Sequence, residues 1–388
     1  MKATKKSYVS KTVRDLKPSG IRRFFDLAAG MEGVISLGVG EPDFVTPWHV
    51  RDAAIRSIED GYTSYTPNAG LLELREEITN YVKNRFHVEY SPSEVIVTVG
   101  ASSAIDTAMR TILDPGDEVI VVEPCFVSYS PMVTLAGGVP VPVQALKEND
   151  FKILPSQIEA AITDKTKALM ICFPNNPTGT LLNKQELEAL AEIVKKYDLL
   201  VISDEIYAEL TYDEQFTSMA SLPGMRERTI LVNGFSKAFA MTGWRLGFVC
   251  APKEISKEML KVHQYALMCA STASQCAGIE ALRNGEEEVE KMVKSYRLRR
   301  NYIVNSFNEM GLTCHMPGGA FYAFPSIEST GLSSQEFAER LLKEQSVAVV
   351  PGDVFGESGE GHIRCSYATS MEELREAMKR IKQFIDSL

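Results

Sequence analysis

The chain has 388 residues, with 41 basic and 51 acidic side chains, a net charge of −10 and 45% apolar residues. This composition is typical of a globular protein with one large or two medium cores. The acidic balance disfavours nucleic-acid binding, and no segment approaches the ~18 consecutive apolar residues of a membrane helix. Seven cysteines without a CxxC pair, and an N-terminus without an apolar signal segment, predict reduced thiols and a cytoplasmic location.

Between about residues 50 and 250, short β-branched runs alternate with segments of helical period. This alternation predicts an α/β fold, in which helices cover a mostly parallel sheet. Helical spacing of apolar residues predicts covering helices through Ile105 and Met109 and through Leu187 and Val194. The predicted strands are Glu94–Val99, Glu118–Val122, Ala168–Cys172, Leu199–Ser203, Thr229–Val232 and Leu246–Cys250.

The composition changes after about residue 285. A charged helical stretch runs from Glu286 to Arg300, short strands follow around Ala320–Phe324 and Val347–Val350, and the last helix is amphipathic from Met371 to Phe384. We therefore predict a large domain over residues 50–285 and a small domain formed by residues 1–49 and 286–388.

Several patterns that carry chemistry in other proteins are incomplete here. Gly38 and Gly40 begin a pattern similar to a dinucleotide fingerprint, but Asp43 occupies the third glycine position and Pro42 would break the helix that must follow. The five histidines are scattered without ligand spacing, so we predict no metal site.

The informative positions are polar residues that follow predicted strands. Asn176 follows one strand, Asp204 and Tyr207 follow the next, and Lys237 follows a third, within an apolar stretch. Ligands of open α/β sheets bind at the carboxyl ends of the strands. A lysine in such a setting can have a lowered pKa and act as an amine nucleophile, although a single lysine taken alone is more often a solvated surface residue.

In this order and spacing, Asn176, Asp204, Lys237, Arg245 and Arg364 resemble the class I and II aminotransferases. These are fold type I enzymes that use pyridoxal 5′-phosphate, and the resemblance covers nearly the whole chain. It implies a large domain with a mostly parallel seven-stranded sheet between helices, and a smaller α+β domain. It also implies a homodimer with shared active sites that moves the α-amino group of an L-amino acid to a 2-oxo acid by a ping-pong mechanism.

The resemblance also implies roles for single residues. Lys237 would hold the cofactor covalently and carry the proton as general base and acid. Asp204 would pair with the pyridine nitrogen and keep it protonated. Asn176 and Tyr207 would donate hydrogen bonds to the ring oxygen O3′, and Phe126 would stack on the ring. Taken without the resemblance, the last three are an ordinary turn asparagine, a core tyrosine and a core phenylalanine.

The same resemblance implies two anion sites. The cofactor phosphate would lie at a helix N-terminus and be held by the residues Gly100, Ala101, Ser102, Ser236 and Arg245, with Tyr65 contributed by the other subunit. The substrate α-carboxylate would be bound by Arg364, with the backbone amide of Gly38 and the side chain of Asn176 nearby.

The resemblance leaves the substrate open. The most similar subgroup contains aspartate, aromatic, alanine and N-acetyl-diaminopimelate aminotransferases, with 2-oxoglutarate as the implied acceptor. Aspartate-using relatives carry a lysine where this chain has Ser102, and the segment Ser19–Phe25, with Arg22 and Arg23, lies near the substrate in relatives. Two alternatives remain: a cysteine-S-conjugate β-lyase on the same scaffold, and a non-catalytic regulator that binds pyridoxal phosphate.

Overall fold

The computed structural model of the chain describes residues 7–18, 20–21 and 31–388. Most of the N-terminal segment that relatives place near the substrate, including Arg22 and Arg23, therefore lies outside the described residues. Of that segment, Gly20 and Ile21 are described.

A seven-stranded sheet forms the centre of the molecule, in the order β2-β8-β7-β6-β5-β3-β4. Only β8 runs antiparallel to its neighbours, β2 and β7, so the predicted mostly parallel α/β sheet is confirmed. The strands are β2 (Val95–Thr98), β3 (Glu118–Glu123), β4 (Val139–Gln144), β5 (Thr166–Cys172), β6 (Leu200–Asp204), β7 (Thr229–Gly234) and β8 (Gly247–Cys250). Six of them correspond to the predicted strands, and β4 was not located from the sequence.

The strand β4 escaped prediction because Pro140 and Pro142 argue against a strand in the middle of a sheet. It lies instead at the edge. The N–H groups of Val139 and Ala145 donate to Asp117 O at 2.8 Å and Glu123 O at 2.7 Å, on the β3 side. Because alternate residues of a strand point their N–H groups to opposite sides, the nitrogens of both prolines face away from β3.

Helices cover this sheet and continue into the C-terminal region. In the described residues they are α1 (Lys11–Asp15), α2 (Trp48–Glu59), α3 (Leu72–Phe86), α4 (Gly100–Ile112), α5 (Tyr129–Leu135), α6 (Pro155–Ala161), α7 (Lys184–Lys196), α8 (Lys253–Ala266), α9 (Thr272–Asn284), α10 (Glu286–Glu309), α11 (Ser334–Gln345) and α12 (Met371–Asp386). The charged stretch predicted to end at Arg300 continues to Glu309, because Ile303, Val304 and Phe307 extend its buried face.

Two small sheets accompany the C-terminal helices. Their strands are β1 (Ile35–Ser36), paired with β10 (Val347–Ala348), and β12 (Ile363–Ser366), which lies between β11 (Val350–Pro351) and β9 (Tyr322–Ala323). One apolar cluster joins Ile230 of the central sheet to Tyr322 and to Phe384 of α12. The domain boundaries at residues 49/50 and 285/286 stay a prediction. In the described part of the chain, no helix is long and apolar enough to cross a membrane.

Candidate active site

A cavity of about 530 Å³ lies at the carboxyl ends of β5, β6 and β7. Its walls include ten of the residues predicted from the sequence to form the site, namely Lys237, Asp204, Tyr207, Asn176, Ser236, Arg245, Arg364, Phe126, Ala101 and Ser102. A larger groove of about 1030 Å³ between α3 and α10 contains none of the predicted residues. The chemistry-bearing residues of the sequence therefore converge on the smaller cavity.

Lys237 enters the cavity from the loop after β7. Its Nζ donates a hydrogen bond to Gly40 O at 2.6 Å, and it lies 6.0 Å from the centroid of the Tyr207 ring. The side chain lines the cavity. Burial lowers the pKa of the amine to about 8, and the nearby carboxylate of Glu41 opposes this shift. At neutral pH this amine is much more easily deprotonated than an ordinary lysine.

Asp204 is the last residue of β6 and is 5% exposed. Its Oδ1 accepts a hydrogen bond from the Ile206 N–H at 3.2 Å, and its Oδ2 accepts one from the Tyr129 hydroxyl at 2.7 Å. Burial raises the pKa of Asp204 to about 6, and these two hydrogen bonds limit the rise by stabilising the carboxylate. A cation placed against this carboxylate would favour its ionised form.

Arg364 lies on β12, between β11 and β9, and is 3% exposed. Its Nη1 donates to Asn176 Oδ1 at 2.8 Å, and its Nη2 donates to Gly38 O at 2.6 Å. The contact at Gly38 therefore uses the carbonyl oxygen, where the sequence led us to expect the backbone amide. The buried Nε has no hydrogen-bond partner among the described residues, so one donor of the guanidinium is available to an anion.

The opposite end of the cavity has the features of an anion site. Gly100 begins α4 with φ +76°, a backbone conformation that favours glycine, and the Arg245 guanidinium approaches it closely, with Nη2 2.6 Å from where a Cβ would lie. The N-cap residue, Val99, has no polar side chain, and the first N–H groups of α4 are left for another acceptor. Ser236 and the exposed Arg245 also line this end.

Tyr65 is not part of the cavity wall. Its side chain is 82% exposed, on the loop between α2 and α3. That loop contacts the end of α8 and the start of α9, because Asn68 Nδ2 donates to Gln264 Oε1 at 3.3 Å and Thr272 Oγ1 donates to Ser64 O at 2.9 Å. Within one chain, Tyr65 therefore does not line the cavity with Ser236 and Arg245, the residues of the predicted phosphate site.

Three residues of the site were missed by the sequence analysis. Tyr129 bonds to Asp204, Gly40 accepts from Lys237, and Tyr322 bonds to Tyr207, with 2.8 Å between the two hydroxyl oxygens. Buried tyrosines in apolar stretches have the pattern of ordinary core residues, so the sequence contains no local signal for Tyr129 or Tyr322. Gly40 lay in the motif that was set aside as an incomplete dinucleotide fingerprint.

The comparison with known families agrees with this geometry. The family "Aminotransferase class I and II" matches residues 32–381. The chain belongs to this family of aminotransferases. A Bacillus subtilis protein named "Putative aminotransferase YugH" is 64% identical over 380 residues, with 98% of each chain covered. An aspartate aminotransferase of Pyrococcus abyssi is 49% identical over 95% of this chain and 96% of the relative.

A solved structure of an aromatic aminotransferase from Pyrococcus horikoshii superposes on this aminotransferase with a TM-score of 0.90. It is 47% identical and covers 95% of this chain and 99% of its own. The predicted enzyme class and fold type are thus confirmed. Relatives named for aspartate and for aromatic amino acids are almost equally similar to this chain, so their names do not select its substrate.

Proposed function

We propose that this aminotransferase uses pyridoxal 5′-phosphate, bound covalently at Lys237, to move the α-amino group of an L-amino acid to a 2-oxo acid. The observation that carries the proposal is the Lys237 amine, which has a lowered pKa and opens to the same cavity as Asp204 and Arg364. When bound, the cofactor supplies an electron sink for the electron pair left on the substrate α-carbon.

The cavity fits this cofactor at three points. The uncapped start of α4, with Ser236 and Arg245, suits a phosphate, because N–H groups and a guanidinium fork both bind its oxygens. Asp204 suits a pyridinium nitrogen, because its raised pKa returns towards normal beside a cation. Phe126 also lines the cavity and offers an apolar contact for the ring.

The chain's own groups have defined tasks in this proposal. Lys237 would hold the cofactor through its amine and, once the substrate amine has replaced it and set it free, would carry a proton to and from the substrate α-carbon. Arg364, with its unpaired Nε, binds the α-carboxylate and orients the substrate, and Asn176 holds the guanidinium in place. Tyr207 remains protonated, because burial raises its pKa well above the usual value, so it can donate a hydrogen bond to a ring oxygen.

A homodimer with shared active sites is part of the same proposal. Tyr65 is 82% exposed, Tyr62 61% and Tyr265 87%, and these aromatic residues lie on segments that contact one another. Exposed aromatic clusters of this kind are typical of protein interfaces. In the dimer, Tyr65 would reach the phosphate end of the partner's cavity. The seven unpaired cysteines support a cytoplasmic location.

The test is the visible absorption of the purified protein, recorded alone and then with alanine, aspartate, glutamate and phenylalanine added one at a time. We expect a visible cofactor band that one donor removes and that 2-oxoglutarate restores. If no band forms even after pyridoxal phosphate is added, the proposal is wrong. Pyruvate released from cystathionine without any 2-oxo acid acceptor would instead favour the β-lyase reaction.

A further inference from the structure

Tyr322 contacts two residues of the candidate active site, Tyr207 and Arg364. It is fully buried on β9, and its hydroxyl oxygen lies 2.8 Å from that of Tyr207. The face of its ring lies 4.6 Å from the guanidinium carbon of Arg364. No role was predicted for Tyr322 from the sequence, because a tyrosine between Phe321 and Ala323 has the pattern of plain core.

The small sheet explains why Tyr322 and Arg364 meet. In the antiparallel pairing of β9 with β12, Tyr322 lies opposite Ser366. Arg364 is two residues before Ser366 and shares its face of the strand, so it is the diagonal neighbour of Tyr322. A second aromatic ring, that of Phe355, lies 4.9 Å from the same guanidinium carbon. The two rings restrict where the guanidinium can move.

The segment from Gly38 to Gly40 packs against the same tyrosine. A Cβ on Gly40 would lie only 2.7 Å from the Tyr322 hydroxyl oxygen, so a larger residue at this position would collide with the hydroxyl. The segment also accepts hydrogen bonds from Lys237, at Gly40 O, and from Arg364, at Gly38 O. Tyr322 thus contacts the backbone segment that accepts hydrogen bonds from both Lys237 and Arg364.

We propose that Tyr322 is a positioning residue with two separable tasks: its hydroxyl orients the hydroxyl of Tyr207, and its ring holds the guanidinium of Arg364. This inference rests on the proposed function. If Tyr207 donates its single proton to the cofactor oxygen, Tyr322 must be the donor in the tyrosine pair, since each hydroxyl has one proton. A chain of two hydrogen bonds strengthens the second of them, so Tyr322 makes Tyr207 a better donor.

The hydroxyl is tested by Tyr322→Phe, which removes one oxygen and keeps the ring. The readout is the pH midpoint of the visible absorption change of the holoenzyme without substrate. A weaker bond from Tyr207 stabilises the anionic cofactor oxygen less, so we expect the midpoint to rise by about 0.5 pH units. The binding of an inert carboxylate, 3-phenylpropionate, should change less than about twofold, because the ring beside Arg364 remains.

The ring is tested by Tyr322→Met, which fills much of the same volume without a π face. Titration calorimetry of the holoenzyme with 3-phenylpropionate should give a dissociation constant about 3- to 30-fold higher, which is the range expected for losing one cation–π contact. Tyr322→Leu serves the same purpose if the methionine variant does not fold. Phe355→Leu should raise the dissociation constant without moving the pH midpoint.

The matched control is Tyr367→Phe. Tyr367 is also fully buried, and its hydroxyl donates to Ala320 O at 3.2 Å, away from Tyr207 and Arg364. It should change neither readout. An unchanged midpoint in Tyr322→Phe, or an unchanged dissociation constant in the ring variants, overturns the inference. A wild-type protein without a cofactor band contradicts the proposed function instead, so the two failures are distinguishable.

Discussion

Two consecutive carboxylic acids at the end of β6 face opposite sides of the central sheet, and only one of them meets the cavity. Asp204 lines the cavity and accepts hydrogen bonds from Tyr129 and Ile206. Glu205 is sealed on the other side, where it accepts from the hydroxyls of Ser203 at 3.0 Å and Ser218 at 2.8 Å. Its Oε2 has no partner among the described residues.

The pKa values of the two acids differ for a physical reason. Burial raises the pKa of Asp204 to about 6 and that of Glu205 to about 8. The charge of Lys237 lowers the pKa of Asp204, whereas the carboxylate of Asp204 raises the pKa of Glu205. Burial alone therefore does not make a carboxylate functional. Asp204 faces a cavity with room for a cation, whereas Glu205 is enclosed and remains largely protonated at neutral pH.

The largest effect on the cavity side is expected from Lys237→Ala. In the proposed function, the variant lacks both the amine that would hold the cofactor and the group that would carry the proton, so kcat should fall by at least about 10⁴-fold. Turnover and the intact mass after borohydride reduction would measure this. Lys196→Ala is the matched control, because Lys196 pairs with Glu159 at 2.6 Å on the surface. Near-normal turnover in Lys237→Ala would remove it from the reaction.

The comparison of the two acids is tested directly by Asp204→Asn and Glu205→Gln. Each substitution replaces a carboxyl group with an amide of nearly the same shape. Asp204→Asn should lower kcat by roughly 10²- to 10³-fold, because the electron sink loses its counter-charge. Glu205→Gln should change kcat by less than about threefold, since a neutral amide replaces a largely neutral acid. Similar losses in both variants would contradict the distinction between the two sides of the sheet.

A smaller effect is expected from Arg364→Lys. The guanidinium fork contacts Asn176 and Gly38, and in the proposed function it also binds the substrate carboxylate. An ammonium cannot reproduce this fork, so KM should rise about 10- to 100-fold with a smaller change in kcat. Steady-state kinetics with several amino acids would measure this. The control is Arg228→Lys. Arg228 directly precedes β7, at the end of that strand away from the cavity, and pairs with Asp198. A KM unchanged for every donor would remove Arg364 from the carboxylate site.

The smallest effect concerns stability on the sealed side. The folded pKa of Glu205, about 8, is above its ordinary value of 4.5, so the folded chain binds more protons between these limits. The stabilisation from this group is complete below pH 4.5 and is lost as the pH rises through 8. Glutamine does not titrate. Between pH 5 and 6.5, Glu205→Gln should therefore gain about 2 kcal/mol in the free energy of unfolding relative to the wild type.

Denaturant unfolding at several pH values measures this difference. The same experiment with Glu192→Gln, an exposed acid on α7, should give parallel curves for variant and wild type. A constant difference between Glu205→Gln and the wild type across this pH range would mean that Glu205 is ionised throughout.

The sequence predicted the elements whose local pattern and tertiary setting agree. Buried parallel strands are apolar on both faces, which is why both ends of β5, β6 and β7 were predicted to within two residues. The strand β4 was missed because its prolines are tolerated only at an edge, and edge position is a property of the folded sheet. Where local pattern and fold disagree, the fold decides.

The site was predictable where residue type and spacing carry the signal. Lys237, Asp204 and Arg364 were singled out, and the structure brings them to one cavity. Tyr129 and Tyr322 escaped because their hydroxyl contacts cross 75 and 115 residues of sequence. Such contacts depend on how a helix, for Tyr129, and a small sheet, for Tyr322, pack against the central sheet, which no local pattern contains. Arg22 and Arg23, which the resemblance places near the substrate, lie outside the described residues.

The prolines of β4 have a consequence for the protein in crowded solution. A free sheet edge is normally a template on which a strand of another molecule can pair, and long arrays grow in this way. Here the outward nitrogens of Pro140 and Pro142 carry no hydrogen, so an incoming strand would find carbonyl groups but miss two successive donors. At the other edge, the Val97 N–H already donates to Ala69 O at 3.0 Å. Both edges thus disfavour edge-to-edge pairing of the central sheets of two native molecules.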